Sequence, residues 1–193
     1  MRRTHKLLVA VAVVLVVVLV IVLRSTDEAQ PVAPAGDAFT LDSPAFADGE
    51  TIPEDFTCEG RNVSPPLEWE HAPDGTVSFA LVVDDPDAPI GTFTHWLICD
   101  LAGRLTGLPE GIPAQDVVRD PVSATQGQNG FKDVGYGGPC PPTGATHRYV
   151  FTLYALDEKL DLPGRFTKNQ LRAAMDGHIL GKAALTGRFG RAE

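Results

Sequence analysis

Three runs of β-branched and aromatic residues constrain this chain more than anything else in it: VSFALVV (Val77–Val83), FTHWLICDL (Phe93–Leu101) and HRYVFTLYAL (His147–Leu156). Each is bounded by Gly, Pro or Asp, the punctuation of strands. FTLDSPAF and SPPLEWE read as shorter extended segments, and long Gly- and Pro-rich connections, above all 103–142, separate the runs. This pattern predicts a mainly β domain, an antiparallel sandwich with large loops. One helix interrupts it, over Thr167–Leu180. Thr167 and Gln170 have capping-box spacing, and Leu171, Ala174, Met175, His178 and Ile179 share one face. KAALTGRF then reads as a closing strand, and a second short helix is a candidate within 109–118.

The N-terminus carries a different signal. After MRRTHK come seventeen uncharged apolar residues, Leu7–Leu23. As a helix they span about 25 Å, near the lower end of what crosses a hydrocarbon core of about 30 Å. Three basic residues precede the run and Arg24 alone follows it, so the positive-inside rule puts residues 1–6 in the cytoplasm and the rest outside. A cleaved signal peptide is the rival reading, but RSTDE follows the run in place of a small-residue cleavage site. The expected organisation is a cytoplasmic N-terminus (1–6), a transmembrane anchor (7–23), a polar, proline-containing tether (24–38) and one domain (39–193). The whole chain has a formal charge of −9, and most of its basic end lies before the domain. That excludes nucleic acid as a partner and still allows a local pocket for one small anion.

All three cysteines fall in the part expected outside the cytoplasm, where disulfides persist. Cys99, in FTHWLICDL, reads as a small core residue. Cys58 and Cys140 sit in loop-like settings, TCEGRN and GGPCPP, and are the better candidates for a bridge.

The polar residues of the strands carry the candidate chemistry. DDPDAP (Asp84–Pro89) ends an apolar strand, and its acids either cap their own turn or hold a carboxylate at a pocket edge. Alternation places Phe93, His95, Leu97 and Cys99 on one face of their strand and Trp96 and Ile98 on the other. The same rule puts His147 and Tyr149 on one face, about 7 Å apart. Two imidazoles, a phenol and an Asp can bind a small polar ligand. His71, His95, His147 and His178 show no zinc-ligand spacing, no G-x-S-x-G elbow is present, and no metal or cofactor is expected. A Cys140–His147 nucleophile pair is conceivable, although the prolines around Cys140 favour a structural role.

NVSPPLEW, LVVDDPDAP, THW, GYGGPCPPTGATHRYVFTLYALD and the C-terminal GHIL with L-x-G-R-F together resemble the phosphatidylethanolamine-binding proteins, in particular their bacterial Raf kinase inhibitor-like branch. The resemblance runs in order from about Phe39 to Arg191. It implies two packed antiparallel sheets with a small anion pocket at one end. It assigns ligand-binding roles to Asp85, Asp87 and Pro89 of DPDAP, to His95, to His147 and Tyr149 of the HRY motif, and to Pro141, Pro142 and Gly144 of a rim that supplies backbone contacts. Family members bind phosphate-like groups, including the phosphatidylethanolamine head group, and some inhibit kinases or proteases. The kinase-inhibitory segments of eukaryotic members have no counterpart here.

Three functions follow as expectations. The first is a membrane-anchored extracytoplasmic module binding a small anionic or phosphorylated ligand. The second is inhibition of an envelope or extracellular protease through the rim loops. The third, hydrolysis with Asp85, His95 and His147 as acid and base groups, lacks an evident nucleophile or metal, so a non-enzymatic role is expected.

Overall fold

A computed structural model of the chain describes residues 38–192. The expected cytoplasmic end, the apolar run Leu7–Leu23 and all of the tether but Ala38 lie outside these residues. Among the described residues no helix is long and apolar enough to cross a membrane.

The strands are β1 (Thr40–Asp42), β2 (Leu67–Glu70), β3 (Ser78–Asp85), β4 (Phe93–Ala102), β5 (Gly107–Leu108), β6 (Val117–Val118), β7 (Ala124–Gln126), β8 (Thr146–Leu156) and β9 (Ile179–Gly190), with one α-helix, α1 (Lys168–Met175), and a single 3-10 turn at Glu54–Phe56. The large sheet has the order β6-β7-β4-β3-β8-β9 and the small sheet β1-β2-β5. Neighbouring strands pair antiparallel throughout. The domain is thus mainly β with one helix, and its three long sequence runs form the adjacent central strands β4, β3 and β8. The connection 103–142 is less irregular than its composition predicts, since it contributes β5, β6 and β7. No helix forms in 109–118, where Pro109 and Pro113 interrupt any helical hydrogen-bond run.

Strand β3 is apolar almost throughout because both of its faces are covered. Phe79, Leu81 and Val83 join Trp69 of the small sheet and Trp96, Ile98, Phe151 and Leu153 of the large one in the main core. Ala80 and Val82 point the other way, into a second cluster with Leu97, Cys99, Phe166, Leu171 and Met175 beneath α1. Full burial of each large side chain contributes roughly 1.5–3 kcal/mol.

Helix α1 begins as its sequence predicts. The Gln170 amide donates to Thr167 Oγ1 at 3.3 Å and the Thr167 amide donates to Gln170 Oε1 at 2.8 Å. It ends about a turn early, at Met175 and not Leu180. Gly177 takes a left-handed φ of +85°, the conformation that stops helices. Ile179 then pairs with Leu156, and His178 and Ile179 leave the helical face assigned to them. A ladder of 11 residue pairs against β8 satisfies more backbone than one further helical turn.

Strict alternation also fails in β4, at the position that matters most for the site. Val83 pairs with Trp96 but Asp84 pairs with Thr94, which leaves His95 as the extra residue of a β-bulge. Such a bulge resets the faces of a strand. Leu97 and Cys99 pack under α1, whereas His95 turns to the opposite side and meets Tyr149, ring centroids 5.1 Å apart. The shared face expected for His95, Leu97 and Cys99 is therefore not formed.

Candidate functional site

The three acids of DDPDAP are separated by the geometry of a strand end. Asp84 faces α1, where its Oδ2 accepts from Lys168 Nζ at 2.6 Å and its Oδ1 from Thr94 Oγ1 at 2.8 Å. Asp85 points the opposite way. Its Oδ2 lies 2.7 Å from His147 Nδ1 and its Oδ1 accepts from the Asp87 amide at 2.8 Å. Asp87 turns outward and takes the Arg148 guanidinium in a fork, at 2.9 and 2.7 Å, together with the Arg148 amide at 2.9 Å. Those bonds from Arg148 hold the Asp87 carboxyl well below the usual carboxylate range. Only Asp85 of the three is left to the site.

Asp85 and His147 are 4% and 7% exposed. A carboxylate at Nδ1 fixes the imidazole so that Nδ1–H donates to Asp85 and Nε2 is the ring nitrogen left to the cavity. His95 is held differently. Its Nδ1 lies 2.6 Å from the Gly137 carbonyl, which can only accept, so the ring proton sits on Nδ1. Burial pushes the His95 pKa down, against the pull of that carbonyl and of the Asp85 charge. A neutral His95 therefore presents Nε2 as an acceptor. Tyr149 is completely buried behind them. Burial, then the Asp85 charge, raises its pKa, so the phenol keeps its proton; the Cys140 amide lies near without completing a hydrogen bond to the hydroxyl.

A cavity of about 350 Å³ opens over this group. Asp85, Pro89, His95, Pro141, Pro142 and His147 of the expected site line it; Asp87, Gly144 and Tyr149 do not. Phe93, Phe131 and Arg191 also line it, and the sequence reading gave none of them a role. Phe93 and Phe131 meet edge to face at 4.7 Å and form an aromatic wall beside His95. Asn129 braces that wall, its Oδ1 accepting from the Phe131 amide at 2.9 Å. Gly137 leaves room for the Phe131 ring, since a Cβ there would lie 2.7 Å from Phe131 Cδ2. The Arg191 Nε donates to Glu59 Oε1 at 2.9 Å, and its two terminal nitrogens have no protein partner among the described residues. A larger groove, about 810 Å³, runs along β2 and β5 away from the buried histidines.

The rim is tied down from several directions. Cys58 and Cys140 are joined, with Cα atoms 5.4 Å apart, and Cys99 is the free, buried thiol. The Gly138 amide donates to Asn62 Oδ1 at 2.7 Å. The Gly137 amide donates to the His95 carbonyl and the Gly144 amide to the Arg191 carbonyl, each at 2.9 Å. Gly144 has φ +78°, a conformation that favours glycine. These amides are consumed in fixing the loop, and prolines have none. Of the rim backbone this leaves the Cys140 amide, beside the Tyr149 hydroxyl, and the side-chain anion donors of the cavity are the Arg191 guanidinium and a His147 ring that carries a proton on Nε2. Cys140, sealed in the bridge, is no nucleophile. Among the described residues no three His, Cys, Asp or Glu side chains converge as metal ligands.

A paired β-sandwich with this His, Asp and proline-rim cavity defines a class, and comparison with known proteins names it. Residues 42–190 match the family model described as phosphatidylethanolamine-binding protein. The chain belongs to the phosphatidylethanolamine-binding protein family. It is 47% identical over 151 residues to a UPF0098 protein of Methanothermobacter thermautotrophicus, covering 78% of this chain and 98% of the relative. It is 42% identical over 166 residues to a Mycobacterium tuberculosis protein that carries the name lipoprotein LppC, covering 86% and 79%. Among solved structures, the phosphatidylethanolamine-binding protein homologue of Chlamydia trachomatis superposes with a TM-score of 0.72 at 40% identity, covering 80% of this chain and 98% of that one. Escherichia coli YbcL gives 0.73 at 32% identity, covering 79% and 98%.

Proposed function

We propose that the domain is a binding module that holds a small anionic or phosphorylated group, of the phosphate or phosphoethanolamine kind, in this cavity. The observation that carries the reading is the buried Asp85–His147 pair at 2.7 Å. Each Asp85 oxygen already accepts one hydrogen bond, from His147 and from the Asp87 amide, which offsets part of the carboxylate charge that faces an anion. A ring that takes a proton at Nε2 becomes a donor to the ligand while Asp85 balances its charge. Arg191 adds a guanidinium, and the His95 Nε2 accepts from a hydroxyl or ammonium on the same ligand. The rim and the aromatic wall are set before the ligand arrives, which lowers the ordering cost of binding. Native mass spectrometry of the full chain tests the reading. A small phosphorylated or anionic mass carried by wild type and absent from His147→Ala is expected; a wild type that carries and takes up no anion contradicts it.

Leu7–Leu23 is proposed to anchor the module, with the domain on the extracytoplasmic face. The Cys58–Cys140 bridge suits an oxidising compartment, and the lipoprotein name of the mycobacterial relative points to an envelope setting. Protease digestion of intact cells and of inverted membranes checks the topology. Protection of the domain in inverted membranes is expected, and digestion there contradicts the orientation.

A further inference from the structure

Cys58 and Cys140, joined to each other, are both exposed, while the remaining cysteine, Cys99, is 0% exposed. An exposed disulfide is open to attack by a thiolate, and bridges of that kind are the labile ones, whereas purely structural bridges resist reduction. The domain does not depend on a covalent staple. It carries two apolar clusters of its own, one between the sheets and one beneath α1, and a domain of this length buries enough surface to fold unaided. The bridge lies at the mouth of the cavity, where Cys140, Pro141 and Pro142 form part of the lining.

What fastens each part of the rim decides what reduction does to it. Upstream of Cys140 the ties are hydrogen bonds to the facing loop. The Tyr136 hydroxyl donates to the Phe56 carbonyl at 2.7 Å and the Gly138 amide to Asn62 Oδ1 at 2.7 Å. The Cys58 amide donates to the Pro139 carbonyl at 3.1 Å, and downstream the Gly144 amide donates to the Arg191 carbonyl at 2.9 Å. Between these ties stand Pro141 and Pro142, which have no amide to give, and there the bridge is the fastening. The hydrogen bonds outlast a reduced bridge, so the fold stays and the prolines at the mouth come loose.

Charge sets the direction of the chemistry. Arg191 and Cys140 line the same cavity, and the Arg191 backbone bridges Thr143 of the same rim. A thiolate released where a guanidinium stands is stabilised and is the better leaving group. Cys58 has the Glu59 carboxylate as its neighbour, which favours a thiolate less. Attack therefore falls on the Cys58 sulfur and expels Cys140.

We propose that the Cys58–Cys140 bridge is a redox switch on the cavity: a protein dithiol reduces it in the folded domain, and the loosened rim gives up its hold on the ligand; the ligand part rests on the function proposed above. A thiolate of the dithiol forms a bond with the Cys58 sulfur as the Cys58–Cys140 bond breaks, and the electron pair leaves on Cys140. The second thiol of the dithiol then attacks its partner sulfur, closes the reagent's own disulfide and releases Cys58. Two electrons and two protons pass from the dithiol to the bridge.

The test uses the full chain in detergent, with reduced thioredoxin as a Cys-x-x-Cys dithiol and phosphoethanolamine as the ligand probe. Under native conditions the thiols of Cys58 and Cys140 are expected to appear, while emission from Trp69 and Trp96, 1% and 0% exposed, stays as it was. A bridge that opens only in guanidinium, or emission lost on reduction, marks a structural staple and overturns the proposal. Reduced protein is expected to bind phosphoethanolamine at least ~10-fold more weakly than oxidised protein, with reoxidation restoring the affinity. Equal affinity in the two states overturns the switch. Linkage returns the same factor in reverse: for a ten-fold effect, saturating phosphoethanolamine is expected to make the potential of the bridge about 30 mV more negative. Oxidised protein that ignores phosphoethanolamine contradicts the binding function, and the switch is then read from the rim itself. On reduction the Cys140 and Ala145 amides are expected to exchange hydrogen at least ~10-fold faster, and the Gly138 amide at its former rate. Exchange unchanged at all three amides overturns the switch whatever the ligand does.

Discussion

Removing the Cys58–Cys140 bridge by the double substitution Cys58→Ser, Cys140→Ser separates the stability of the domain from the order of its rim. The two positions are 82 residues apart, so the bridge closes a long loop in the unfolded chain. The loop-entropy relation gives about 4.5 kcal/mol at 25 °C for a loop of that length. Both cysteines are exposed at residue level, so serine leaves no sizeable cavity and the entropic effect dominates. Guanidinium unfolding of the full chain in detergent, read by fluorescence of the buried Trp69 and Trp96, measures it. The expected loss is about 3–4.5 kcal/mol, with the thermal midpoint down by about 10 °C. The folded state survives, because Gly138 stays bonded to Asn62 and Gly144 to Arg191. Cys140, Pro141 and Pro142 line the cavity, and freeing them adds an ordering cost of about 1 kcal/mol per residue to ligand binding. Affinity for phosphoethanolamine is expected to fall about ten-fold or more. A stability change below about 1 kcal/mol, with affinity intact, would refute the claim that the bridge restrains the unfolded chain and sets the rim.

Other consequences are as direct. His95 has a lowered pKa in the folded protein, while the unfolded chain takes up a proton near pH 6.5. Stability is therefore full above pH 6.5 and falls as the pH drops through the folded value; His95→Asn, which keeps a donor for the Gly137 carbonyl, is expected to flatten that slope in pH-dependent unfolding. Gly130→Ala places a Cβ 2.5 Å from Phe93 Cζ, and the forced ring movement is expected to cost about 1–3 kcal/mol in denaturant unfolding and to weaken ligand binding. Asp85→Asn cannot accept from both His147 Nδ1–H and the Asp87 amide, so calorimetry with phosphate is expected to show affinity reduced about ten-fold or more.

Much of the architecture is legible because apolar runs and their punctuation act locally. The three long runs became the three central strands, and the Thr167–Gln170 cap marked the start of α1. Long-range pairing was harder to read. The helix yielded its last turn to a ladder whose partner, β8, lies more than twenty residues upstream, and the short strands β5, β6 and β7 owe their form to neighbours and not to their own composition. At the site, Asp85, His95 and His147 were visible as polar residues at strand ends. The bulge that brings His95 round to Tyr149 was not, since a one-residue irregularity leaves no mark on composition. Arg191 and Phe131 escaped notice for a related reason: each is an ordinary residue in its own segment and reaches the cavity only through tertiary packing. The GRFGR ending carried the one hint of a basic group near the last strand.

The central claim is that the Asp85–His147 pair receives an anion. Isothermal titration calorimetry of the full chain with phosphoethanolamine, in wild type and in His147→Ala, tests it most directly. Saturable one-to-one binding in wild type, weakened about 30-fold or more in His147→Ala, is the predicted result, the order of a lost charge-assisted bond of about 2 kcal/mol. Equal heats and equal affinities in the two proteins would contradict it.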